Sequence, residues 1–197
     1  MAPRHPRPSS SLPPVTKRWA RFGPNDARWF MHVPEGGVCL SAFLLVRDRS
    51  GGLLLGRPKP HPAWAERGCL PDWRVDQLVQ HADWVLPASH LLMGEAPDRA
   101  GTRIARDWAG LRGAKPHLVG IDSARMPTGR RARKSDGGLP IFHWALGFGY
   151  EVDSNAPAPK GPWWAETRFF PLAELRRLPI GREHRDFLRY LSGPGTD

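Results

Sequence analysis

Pro87-Ala88-Ser89-His90-Leu91-Leu92-Met93-Gly94-Glu95-Ala96-Pro97-Asp98-Arg99-Ala100-Gly101-Thr102-Arg103-Ile104-Ala105-Arg106-Asp107-Trp108-Ala109-Gly110-Leu111 is the stretch on which the fold of this 197-residue chain turns. Pro97 suits the first turn of a helix, where its fixed φ is helical and its missing N–H costs nothing. Gly110 suits the C-terminal end. The pattern predicts a helix over 97–109. On it Ile104 and Trp108 stand i, i+4 and are expected to pack together; Arg103 and Asp107 have the same spacing and are expected to pair. The cationic Arg106 lies between the two apolar residues.

Upstream, Val38–Val46 is an almost unbroken apolar run, followed by the charged, glycine-containing 47–52 and then Leu53-Leu54-Leu55-Gly56-Arg57. This reads as a hairpin whose first strand is buried on both faces. Pro58–Pro87 carries Pro58, Pro60, Pro62 and Pro71, and reads as an irregular insertion with a short helix at Arg74–His81. Downstream, Pro116–Met126 predicts a strand, Thr128–Gly138 a basic loop, Leu139–Val152 a central strand, Asn155–Pro162 a connector and Thr167–Pro171 a strand end. Leu172–Leu178 and Arg182–Leu191 read as helical, with Phe187, Leu188 and Leu191 on one side. Strands, helix, strands, helix is an α+β order around one sheet.

The quoted stretch resembles the box of the Nudix hydrolase superfamily: Gly, five residues, Glu, seven residues, Arg-Glu, an aliphatic, any, Glu-Glu, any, Gly, aliphatic. Glu95, Arg103, Gly110 and Leu111 stand in that register without a gap, and Asp107 stands at the first of the paired acids. The Pro-Gly-Gly that usually precedes the box is Pro87-Ala88-Ser89 here. Val38–Arg57 resembles the family's opening hairpin, and Ala165–Leu175 its late strand feeding a short helix. The resemblance runs from Gly36 to Leu191. It implies a Nudix-type α/β/α sandwich, with a mixed sheet between the box helix and a C-terminal helix. The expected organisation is a basic Pro/Arg-rich arm (1–28), a Nudix-like domain (29–192) and a short tail (193–197).

What the resemblance implies for chemistry is a helix face of carboxylates holding Mg or Mn, hard cations that need several oxygen ligands. Such a metal would bridge a pyrophosphate and activate the attacking water. Glu95, Arg103 and Asp107 are then the catalytic remnant, with Glu95 and Asp107 as metal ligands. Two substitutions oppose it. Ile104 stands where an acid follows the Arg, and Trp108 stands at the second of the paired acids. Ala88 and Ser89 also add side chains where the family's loop uses glycine. The expectation is a degenerate box that binds a nucleotide-like or phosphorylated ligand, or a partner, with weak or no pyrophosphohydrolase activity and no necessary cofactor. The alternative is an active Mg- or Mn-dependent hydrolase of a nucleoside diphosphate linked to another moiety, drawing an acid from Glu166, Glu174 or Glu183. Glu183 and Asp186 read more simply as solvated first-turn acids. His90 could join Asp107 on a transition metal. Arg57, His90, Glu166, Trp163 and Trp164 are the ligand-binding candidates; Trp84 and Trp144 also flank the sheet. Cys39 reads as a small buried hydrophobe.

The formal charge is +10, but its location matters more than its size. Arg4, Arg7, Lys17, Arg18, Arg21 and Arg28 face one acid, Asp26, in the arm. Arg125, Arg130, Arg131, Arg133 and Lys134 form a second block without an acid, and the rest of the chain balances. Arg130, Arg131, Arg133 and Lys134 are therefore the nucleic-acid candidates. They support a third reading, an RNA or ribonucleoprotein interaction module acting through the basic arm and loop. No apolar run reaches the length of a membrane span, so no membrane partner is expected. The N-terminus lacks the apolar core of a secretory signal, and Pro3, Pro6, Pro8, Pro13, Pro14 and Pro24 oppose a targeting helix. Two cysteines make no disulfide scaffold, which leaves the cytoplasm as the expected compartment. The resemblance also implies a homodimer.

Overall fold

The apolar run at the start of the domain forms the strand around which the rest assembles. In the computed structural model, which describes residues 38–66, 76, 79–81, 83–92, 95–131 and 140–191, β1 spans Val38–Arg47. Its side chains alternate between two cores because a strand sends successive residues to opposite faces. Ala42, Leu44 and Val46 enter one cluster with Ile104 and Trp108. Phe43 and Leu45 enter the other with Phe170, Leu175, Phe187 and Leu191. A strand buried on both faces cannot alternate polar and apolar residues, which is why the run is continuous.

The remaining elements are β2 (Leu53–Pro58), α1 (Ala63–Glu66), β3 (Ala88–His90), α2 (Pro97–Asp107), β4 (His117–Arg131), β5 (Pro140–Asp153), β6 (Trp164–Phe170), α3 (Leu172–Leu175), α4 (Arg182–Arg185) and a 3₁₀ segment (Asp186–Leu191). The sheet order is β4-β5-β1-β2-β6, with β3 beside β1. β1 pairs with β5 in parallel, from Val38 opposite Trp144 to Arg47 opposite Asp153. The other pairings are antiparallel, so the sheet is mixed. With α2 on one face and the α3–3₁₀ segment on the other, the fold is an α+β sandwich of the α/β/α kind.

Five expectations change. The opening hairpin is splayed: β1 and β2 are paired only at Arg47 and Leu53. β3 lies against the first half of β1 instead, with Ser41, Ala42 and Phe43 opposite His90, Ser89 and Ala88. The insertion thus ends in the sheet; within it, Asp76, Val79 and Gln80 are helical. The basic loop is shorter than expected, because β4 continues through Arg131 and β5 begins at Pro140. Arg130 and Arg131 therefore stand on a strand, while Arg133 and Lys134 lie outside the described residues. The helix from Leu172 stops at Leu175, short of the Leu178–Pro179 step, whose proline disfavours helical backbone before it. The final helix changes to 3₁₀ at Asp186. The arm (1–28) and the tail (193–197) also lie outside the described residues. Among the described residues no helix is long and apolar enough to cross a membrane.

Candidate functional site

The box helix α2 begins at Pro97 and buries Ala100, Gly101, Ile104 and Ala105, an i, i+4 stripe that faces the sheet. Gly101 permits close approach: a Cβ there would lie 3.0 Å from the Tyr150 ring. The Tyr150 hydroxyl donates to Oδ1 of Asp98 at 2.8 Å. Burial, and then that carboxylate, push the Tyr150 phenol well above its ordinary value. At the other end Gly110 turns the chain at φ 72°. The Leu111 N–H then reaches back to the Ala105 carbonyl at 2.8 Å.

At the entrance to the helix, Glu95 and Arg103 form a bidentate pair. Arg103 Nε donates to Oε1 at 2.7 Å and Nη2 to Oε2 at 2.9 Å. Nη1 also donates to Ser89 Oγ at 3.1 Å, and Nη2 to the His90 carbonyl at 2.9 Å. Glu95 Oε2 accepts a third bond from the Leu92 N–H at 2.8 Å. The two charged side chains are 10% and 12% exposed. The cluster ties β3 and the loop after it to α2. It occupies both Glu95 oxygens with donors, which is a framework role. Arg103 does not pair with Asp107, as the i, i+4 spacing suggested. The bidentate fork is satisfied across the loop, and Asp107 is held by its neighbour Arg106 at 2.6 and 3.2 Å.

The exit of the helix is built from indoles. Ile104 and Trp108 are 0% and 1% exposed. Trp108 stacks on Trp64 with centroids 4.7 Å apart and planes 12° from parallel. Trp163 meets it edge-on at 5.1 Å, and Trp164 at 6.3 Å. Trp164 Nε1 donates to the Trp108 carbonyl at 3.2 Å, and Trp64 Nε1 to the Lys59 carbonyl at 2.8 Å. The Trp108 Nε1 is buried and meets no acceptor among the described residues. Leaving such a donor unmet costs about 1–3 kcal/mol. Burying the indole contributes about 1.5–3 kcal/mol or more. Each favourable ring pair adds roughly 0.5–1.5 kcal/mol. Packing wins.

The β6 register explains how two adjacent tryptophans serve one core. Arg57 stands opposite Glu166, but Pro58 stands opposite Trp164, so one residue is bulged out. The bulge returns Trp164 to the α2 face, over Gly56, where an added Cβ would lie 2.6 Å from the indole. Trp164 is 6% exposed and Trp163 half-buried. Trp64, on α1, is the member that the sequence reading passed over. It stands in a proline-rich segment without periodicity, and only the fold brings it to Trp108.

The other candidates are divided by the sheet. Arg57 and Glu166 pair at 2.5 Å, with Arg57 over the Trp84 ring at 5.2 Å. They share the face of Leu55 and Phe170, opposite α2. Glu174 is exposed and lies 3.8 Å from Arg168 on that same side. The side chain of Glu183 lies outside the described residues. His90 is half-buried on β3 and meets Arg103 through its carbonyl. The structure thus brings Glu95, Arg103, Ser89 and His90 together, and separately Trp64, Trp108, Trp163 and Trp164. It does not bring Glu166 or Glu174 to Asp107.

A divalent metal requires several hard oxygen donors converging on one point. Among the described residues no group of three or more His, Cys, Asp or Glu could hold one. Asp107, the acid that the resemblance places nearest a metal, accepts from Arg106 at both of its oxygens. The donor set does not fit Mg or Mn.

Solved structures superpose on this arrangement. A MutT protein from Methanosarcina mazei Go1 matches with a TM-score of 0.54 at 14% identity, over 80% of this chain and 95% of that one. The fold is the Nudix fold. A MutT Nudix hydrolase from Burkholderia pseudomallei matches with a TM-score of 0.51 at 16% identity, over 79% of this chain and 98% of that one. No family model matches the sequence, and none of the curated proteins does. The superposed structures bear out the fold that the resemblance implied. Identities this low carry the architecture and leave the chemistry to the residues of this chain.

Proposed function

We propose that this chain is a Nudix-fold binding protein that does not carry out metal-dependent pyrophosphohydrolysis. One observation carries the reading: Ile104 and Trp108, at the positions where the resemblance implies acids, are fully buried, and Trp108 is packed among Trp64, Trp163 and Trp164. A carboxylate face and a stacked indole are mutually exclusive uses of the same surface. The entrance of the box supports the reading from the other side, because Glu95 spends its oxygens on Arg103 and the Leu92 N–H. Its cargo is a nucleotide-like or phosphorylated molecule, the ligand class that the box resemblance implies. The chain would hold it without cleaving it.

The test is a turnover panel. The full chain is incubated with Mg or Mn and nucleoside triphosphates, dinucleoside polyphosphates or sugar nucleotides, and the products are separated chromatographically. No product above the level of heat-denatured protein is expected. Turnover that vanishes in Asp107→Ala would overturn the reading.

A further inference from the structure

The last described elements build a small cleft on the side of the sheet opposite α2. From Asp186 the backbone is 3₁₀, with three residues per turn, so positions i and i+3 stand over one another. That sorts the segment and the turn before it into stripes. His184, Phe187 and Tyr190 face the sheet: the first two are buried, and the Tyr190 ring covers Gly120. Asp186 and Arg189 form a second stripe, from which Arg189 holds Asp122 of β4 at 2.6 Å. Arg185, Leu188 and Leu191 form the third. Helical spacing groups Leu172, Leu175 and Arg176 at α3 in the same way. These six residues line a cleft of about 200 Å³.

Apolar and cationic groups are segregated in it. Leu175 and Leu191 are buried, Leu188 is half-buried, and Leu172 is 38% exposed at the rim. Arg176 follows α3 and Arg185 precedes the 3₁₀ segment, so both cations stand beside the connecting turn. Arg185 is fixed there, because its Nη2 donates to the Leu178 carbonyl at 2.7 Å. Neighbouring cations are neutralised, Arg168 by Glu174 at 3.8 Å and Arg189 by Asp122. Among the described residues no carboxylate pairs with Arg176 or Arg185, and no acid lines the cleft. Four leucines beside two uncompensated guanidinium groups complement a chain that is apolar along its length and anionic at one end. Its methylenes gain by leaving water for leucine, and a carboxylate matches the guanidinium fork.

We propose that this cleft binds a medium-chain aliphatic carboxylate, its chain along the leucines and its carboxylate at Arg176 and Arg185. At about 30 Å³ for a water-sized group such as a methylene, the cleft holds roughly seven of them, the chain of an eight-carbon acid. The proposal does not depend on whether the box helix hydrolyses anything. The cleft shares no residue with the Glu95–Arg103 pair or the tryptophan stack.

The experiment is an NMR titration of the full chain, its leucine methyls labelled, with sodium octanoate below its micellar concentration. Saturable shifts are expected at Leu172, Leu175, Leu188 and Leu191. From butanoate through hexanoate to octanoate, each added methylene should tighten binding roughly threefold. Octylamine, with the opposite charge on the same chain, should not bind measurably. Arg176→Gln combined with Arg185→Gln should weaken octanoate roughly three- to tenfold, the range for two exposed charge pairs. Leu172→Asp, which sets a carboxylate on the rim, should weaken it about tenfold or more. Leu172 is exposed and both arginines are on the surface, so unchanged thermal melts are expected for both variants. Octylamine bound as tightly as octanoate would overturn the proposal, and so would a series without chain-length dependence. Shifts at Leu118, exposed on β4, as large as those in the cleft would also overturn it, as nonspecific contact. Octyl phosphate bound more tightly than octanoate would overturn the choice of a carboxylate.

Discussion

The two ends of the box helix use opposite chemistry. The entrance is ionic: Glu95, Arg103, Ser89 and the His90 carbonyl close a hydrogen-bonded knot between β3 and α2. The exit is aromatic: Trp108 is the centre of a stack with Trp64, Trp163 and Trp164. Both hold the helix on the sheet, and only the entrance uses the residue types that the family pattern places there. Glu95 and Arg103 organise the backbone, because a bidentate pair fixes a geometry. Ile104 and Trp108, where the resemblance implies acids, are core.

The comparison can be broken from either end. The largest effect belongs to Ile104→Glu combined with Trp108→Glu. Two unpaired carboxylates would enter a core that is 0% and 1% exposed at those positions, and no cooperative thermal transition is expected. Retained folding with gained metal binding would mean that the exit is an open cleft. Trp108→Ala should cost about 3–5 kcal/mol in urea denaturation, from lost ring contacts and the cavity left behind. A cost under 1 kcal/mol would remove the stack's structural role. At the entrance, Glu95→Gln should cost roughly 1–3 kcal/mol, because the largely buried Arg103 loses its charged partner. An unaffected melt would make the knot dispensable. By contrast, Glu166→Gln, which unpairs the half-exposed Arg57, should cost only about 0.2–1 kcal/mol.

The helix also predicts an alkaline limit. The Tyr150 phenol has a raised pKa in the folded state, so folding favours its protonated form. That contribution is complete below the unfolded value, about 10, and is lost as pH rises from there toward the folded value. Stability should fall above pH 10 in wild type, and the fall should be smaller in Tyr150→Phe. Identical pH profiles would mean that the bond to Asp98 is without consequence.

Much of this was legible before the fold was known. The Pro97 and Gly110 signals placed α2 within two residues of its observed end at Asp107, because caps act locally. The burial of Ile104 against Trp108 followed from helical spacing. The Arg103–Asp107 pair did not form, because spacing along a helix says nothing about a carboxylate that a loop delivers from eight residues away. Trp64 was illegible for the same reason: its contact with Trp108 exists only after β2, β6 and α2 meet. The extension of β4 through Arg131 was hidden by Thr128 and Gly129, which read as loop; the ladder is irregular between Pro127 and Arg131, and pairing resumes with Arg131 opposite Pro140.

Manganese binding to the full chain tests the central claim most directly. A calorimetric or electron-spin titration of wild type beside Asp107→Ala should give the same weak, nonspecific uptake for both proteins. Stoichiometric binding in wild type that Asp107→Ala abolishes would contradict it, because the helix face would then hold a metal beside its tryptophans.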